Sequence, residues 1–107
     1  MSESVRMQQI RKMLLTDAED DFLNYALALE LEKEGKPQEA IDVIEHLILR
    51  NPAYSGAYYK LGGLLEQTGQ KEKAITVYLK GIKITARQKN EKALRELREA
   101  LQNAEEE

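Results

Sequence analysis

Few side chains in this chain are spaced for chemistry. His46 is the only histidine and there is no cysteine, so no thiolate or second imidazole stands at a spacing that would complete a metal site with it. Ser2, Ser4 and Ser55 have no plausible base beside them, and Ser55 reads better as the residue that caps a following helix. The pair Gly62-Gly63 lacks the Gly-Lys-Ser/Thr that a phosphate loop needs and has no strand before it. Glu30, Glu32, Glu34 and Glu66 could supply a carboxylate pair, but a repeated solvated helix face predicts them equally well. These absences point away from an enzyme and imply no cofactor and no metal.

The residues that stay unexplained as punctuation are Tyr25 and Tyr59, and they are 34 positions apart. The same spacing relates Leu27 to Leu61, Leu31 to Leu65, Glu32 to Glu66, Gly35 to Gly69, Ala40-Ile41 to Ala74-Ile75, Val43 to Val77 and Ile48 to Ile82. A fixed period of this size is the mark of one helical hairpin stacked on a copy of itself, since neither copy buries its apolar face alone. Punctuation agrees. Asp20 is suited to cap a helix that runs through Phe22, Tyr25, Leu27, Leu29 and Leu31 to Gly35, and Gly35 can take the left-handed conformation that ends it. Pro37 suits the first turn of the next helix, where Ala40, Ile41, Ile44, Leu47 and Ile48 form an apolar stripe before Asn51-Pro52. The second copy runs from about Ser55 to Thr68, and from Lys71 to Arg87 after Gly69.

In residues 55 to 88, Tyr58, Leu61-Gly62, Leu65, Gly69, Ala74 and Tyr78 stand at the offsets of a known pattern, with Gly81 at its small-residue site and Ala86 where Pro is usual. The chain resembles the tetratricopeptide-repeat family. Residues 21 to 54 match less fully, with Asn24, Ala28 and Ile44 replacing the large residue, the Gly and the aromatic. The resemblance implies an all-α fold, a right-handed superhelical stack of antiparallel helix hairpins with about six helices, forming a single domain over 1–107. Residues 3–15 look like the second helix of a preceding half-repeat, 21–54 and 55–88 are the two repeats, and 91–104 is a capping helix started by Asn90. Ala104 to Glu107 are expected to fray, because three carboxylates oppose the helix dipole there.

The same resemblance places a ligand groove along the first helix of each hairpin. Its candidate contacts are Phe22, Tyr25, Leu29, Glu32 and Lys33 in one repeat, and Gly56, Tyr59, Gly63, Glu66 and Gln67 in the other. A competing reading makes Phe22, Tyr25 and Leu29 core residues against the half-repeat helix. Relatives that grip chaperone carboxylates use Lys and Asn one turn apart on the first groove helix and Asn on the second. Here Phe22, Ala26 and Lys60 occupy those sites, so the resemblance implies a hydrophobic or mixed ligand in place of an acidic tail.

Two functional classes follow: an adaptor or scaffold that binds a peptide or protein surface in the groove, and a homodimer formed through Val5, Met7, Ile10 and Met13. Net charge of −3 and a pI near 5.3 argue against nucleic acid, and the basic run Arg87, Lys89, Lys92, Arg95 and Arg98 is diluted by Glu91, Glu96 and Glu99. No stretch reaches the roughly 18 apolar residues that suggest a membrane span, and Met1-Ser2-Glu3 does not open a signal peptide. With no cysteine to oxidise, reduced cytoplasm is the expected compartment.

Overall fold

Cap residues and left-handed turns cut the chain into helices. The computed structural model describes residues 3–107; Ser2, weighed above as a nucleophile, lies outside them. Among the described residues there are six α-helices and no strand: α1 Val5–Leu14, α2 Asp21–Lys33, α3 Pro37–Arg50, α4 Gly56–Gln67, α5 Lys71–Arg87 and α6 Glu91–Glu106. They group into two compact units that divide between Asn51 and Pro52.

In the first unit, α1 and α3 both pack on α2. Ser4 and Asp20 start α1 and α2 by accepting hydrogen bonds from the amides of Met7 at 3.1 Å and Leu23 at 2.7 Å. Gly35 ends α2 with φ +76°, and the amide of Lys36 reaches back to the Leu31 carbonyl at 2.9 Å, the hydrogen bond that closes a left-handed helix end. Leu31, Ala40, Ile41, Ile44 and Leu47 are fully buried. Asn51 donates to the Asp21 carboxylate at 2.7 Å and so fastens the end of α3 to the start of α2.

One buried residue departs from the expectation of a solvated acidic face. Glu30 is only 6% exposed. Its carboxylate lies 3.3 Å from the Arg6 guanidinium on α1 and 3.5 Å from the Lys33 ammonium. Arg6 stands where the two repeats have Ala40 and Ala74, and Glu30 stands where the second repeat has Leu64. Both departures are explained by each other, since a buried carboxylate is tolerated only when paired.

In the second unit, α5 packs on both α4 and α6, and α4 also touches α6. Tyr58 and Tyr78 fill its centre and are almost fully buried. Tyr78 lies over Gly62, where an added Cβ would stand 2.0 Å from its ring. Tyr58 lies over Gly81, where a Cβ would come within 2.7 Å of the tyrosine Cβ and 3.0 Å of Leu97 on α6. Each aromatic thus occupies the space released by a glycine on the other helix.

Two termini differ from expectation. Ser55 has helical backbone angles and no capping hydrogen bond, so it does not cap α4. The entry is held instead by the Tyr58 hydroxyl donating to the Pro52 carbonyl at 2.5 Å and by Gln88 donating to the Ala53 carbonyl at 2.8 Å. The end of α6 stays helical to Glu106 because Ala104 is fully buried and the Lys71 ammonium donates to the Glu107 carbonyl. These contacts outweigh the dipole argument for fraying.

The glycines separate into steric and conformational roles. Gly62→Ala should lower stability by about 1 to 3 kcal/mol, because Tyr78 must leave its rotamer. Lys89, held at φ +56° after α5 where Gly35 and Gly69 end their helices at +76°, carries backbone strain. Lys89→Gly should therefore raise stability by about 0.5 to 1 kcal/mol. Chemical denaturation measures both, and equal responses of the same sign would overturn the assignment.

Candidate interaction surface

The first helices of the two repeats bury one side and leave the other open. On α4, Ala57, Tyr58, Leu61, Gly62, Leu64 and Leu65 are buried, whereas Tyr59, Gly63 and Gln67 are exposed. Tyr59 shows 51% of its surface, and one turn later a Cβ added to Gly63 would meet nothing within 4 Å. The phenol ring is thus a free plate with open backbone beside it. Glu66 is half-buried and accepts the Tyr78 hydroxyl at 2.5 Å, so one of its oxygens is already occupied.

On α2, Phe22 is 68% exposed and therefore not a core residue. Tyr25, Leu29 and Glu32 are half-buried, and Lys33 is exposed with its ammonium beside Glu30. Ala26, at one of the clamp positions, is buried. Each repeat therefore presents an exposed aromatic from its first helix, Phe22 on α2 and Tyr59 on α4.

A contributor that sequence reasoning passed over comes from α6. Glu96, Glu99, Ala100 and Asn103 follow each other at i, i+3, i+4 and i+7, the spacing of a single helix face, and with Tyr59 they line a cleft of about 90 Å³. Among the described residues neither glutamate is in an ion pair, and the side chains of Tyr59 and Asn103 make no hydrogen bond. The spacing was visible in the sequence, but the reading of α6 as a solvating cap concealed it.

Elsewhere, His46 is exposed, with Nδ1 2.8 Å from the Asp42 carbonyl. No group of three His, Cys, Asp or Glu side chains among the described residues is arranged to hold a metal ion. No helix there is long and apolar enough to cross a membrane.

The family profile described as Tetratricopeptide repeat matches residues 25–89. The chain belongs to the tetratricopeptide-repeat family. A tetratricopeptide repeat domain protein from Salinibacter ruber, solved in solution, is 38% identical, with 81% of this chain and 88% of that one covered and a TM-score of 0.78. The TPR2B domain of yeast Sti1, solved in complex with pHsp70, is 19% identical over 94% of this chain and 80% of its own, with a TM-score of 0.85. The tetratricopeptide-repeat domain of Sgt2 from Aspergillus fumigatus is 17% identical over 94% and 64%, with a TM-score of 0.80. The last two likenesses are of fold alone. No curated protein matches the chain.

The interlocked tyrosines give the second repeat a pH response. Burial raises the pKa of Tyr58 above 10.0, and burial followed by the hydrogen bond to Glu66 and its charge raises that of Tyr78. A phenol whose folded pKa is raised contributes stability that is complete below its unfolded pKa and is lost at higher pH. Denaturant titrations should therefore show stability falling as pH climbs beyond 10.0, with a shallower fall in Tyr78→Phe. Parallel pH profiles for the two proteins would contradict this account.

Proposed function

We propose that the chain is a non-enzymatic protein-interaction module that binds a peptide or protein surface on the groove-side faces of its first helices. The observation that carries this reading is Tyr59, half exposed on a helix whose other large apolar residues are buried, beside a glycine that leaves its face open. An aromatic plate with a hydroxyl offers large contact area at low entropic cost, which is what interface anchors supply. Phe22, Tyr25, Leu29 and Lys33 belong to the corresponding face of α2, and Gly63, Glu66 and Gln67 extend that of α4. The fold likeness to a domain solved with pHsp70 supports a protein ligand. An acidic tail is disfavoured, because Phe22, buried Ala26 and Lys60 stand where relatives that grip carboxylates place their Lys and Asn residues.

Replacing Tyr25 and Tyr59 together by Ala should leave the helical circular-dichroism spectrum nearly unchanged while weakening partner capture from the source organism's lysate by more than about tenfold, or about 1.4 kcal/mol. Loss of cooperative unfolding in the double variant would show instead that the pair is structural.

Self-association is a second reading, favoured by apolar exposure on the first unit. Val5 and Met13 on α1 are 71% and 48% exposed, and Leu15 just after it is 84% exposed. Met7 and Ile10, grouped with them in the sequence, are buried within the chain and would not reach a second copy. Light scattering across a range of concentrations should give a rising mass that Met13→Glu abolishes, and a constant monomer mass removes this reading.

A further inference from the structure

The cleft between α4 and α6 has a chemistry that the general interaction reading does not specify. Its volume of about 90 Å³ is far below the roughly 300 to 1,000 Å³ of a small-molecule pocket, so it fits a single side-chain head. It is lined by Tyr59 on α4 and by Glu96, Glu99, Ala100 and Asn103 on α6, which together bring one aromatic ring, two carboxylates and one amide to its walls as residue types.

From this arrangement we infer that the cleft receives the guanidinium group of an arginine carried on a partner protein. A planar cation stacks on an aromatic face through attraction to the ring quadrupole, and its forked N–H groups match carboxylate oxygens. Glu96 and Glu99 lie one turn apart on α6 and are in no ion pair among the described residues, although Lys92, Arg95 and Arg98 share the helix. Two like charges at that spacing repel each other, and an incoming cation relieves the repulsion while an acidic ligand increases it. The Asn103 amide oxygen adds a neutral acceptor, and the absence of a side chain at Gly63 leaves room for the partner's backbone near Tyr59. An arginine offers more donors to this set than a lysine, whose ammonium is a compact, strongly hydrated point charge.

This assignment rests on the interaction surface proposed above and specifies the ligand for its α4 part. The test uses N-acetyl-arginine methylamide as probe, titrated into the isotopically labelled full chain while backbone amide resonances are followed. Saturable shifts are expected at Tyr59, Glu96, Glu99 and Asn103, with affinity in about the millimolar range for an isolated side chain. N-acetyl-lysine methylamide should bind about fivefold more weakly, and the neutral N-acetyl-citrulline methylamide should give no saturable shift. Glu96→Gln with Glu99→Gln, two exposed sites, should lower arginine affinity by about tenfold without altering the fold. Equal responses to arginine and citrulline or to arginine and lysine, shifts confined to other residues, or unchanged affinity in the double glutamine variant would each overturn the assignment. The two failures are distinguishable in partner capture. If Tyr59→Ala reduces it and the glutamine pair does not, the surface stands and the arginine assignment falls; if neither reduces it, the α4 surface itself is withdrawn.

Discussion

The second unit depends on a reciprocal exchange of volume between α4 and α5. Tyr78 needs Gly62, and Tyr58 needs Gly81, because a single added carbon at either glycine would overlap the opposing tyrosine. Both aromatics are almost fully buried, and the two helices approach closely at the two glycines. The hydroxyls are then satisfied at the edges of the pair, one by the Pro52 carbonyl and the other by Glu66. That second bond ties α5 to α4 at Glu66, which shares a helix face with Tyr59.

The first unit meets the same geometric demand with different residues. Asn24 and Leu47 occupy the positions of Tyr58 and Gly81, while Ala28 and Ile44 occupy those of Gly62 and Tyr78. In each pair the larger member shrinks as the smaller one grows, so the hairpin keeps its filling without an aromatic. What the first unit adds is a polar tie. Arg6, Glu30 and Lys33 link α1 to α2 at a site that is apolar in the second repeat, which gives the half-repeat helix a specific partner where its own apolar face is short.

Much of this architecture was legible because local and tertiary demands coincide. Asp20 and Asn90 cap their helices as their residue types suggest, while Gly35 and Gly69, which end theirs at positive φ, and Ala40 and Ala74, which are buried, follow from one period of 34 residues. Ser55 was misread because a capping residue type is not a capping conformation, and the bonds that start α4 come from Tyr58 and from Gln88 far along the chain. Glu30 was assigned to water because its charge says nothing of a guanidinium that arrives from another helix. The proposed interaction surface was legible for Tyr59 and Gly63, whose positions follow from the repeat, and not for Glu96, Glu99 and Asn103, whose relation to Tyr59 exists only after α6 docks.

Glycine performs two unrelated tasks here, and they imply different histories under mutation. At Gly35 and Gly69 nothing crowds the missing Cβ, so the requirement is one of handedness. Such a position can drift alone, as the left-handed Lys89 illustrates. At Gly62 and Gly81 the requirement is one of space held jointly with a residue on another helix, and neither partner can change before the other without passing through a clash or a void. Drift at those sites must be paired, which makes the aromatic-glycine hairpin and its aliphatic counterpart two neighbouring solutions separated by an unfavourable intermediate.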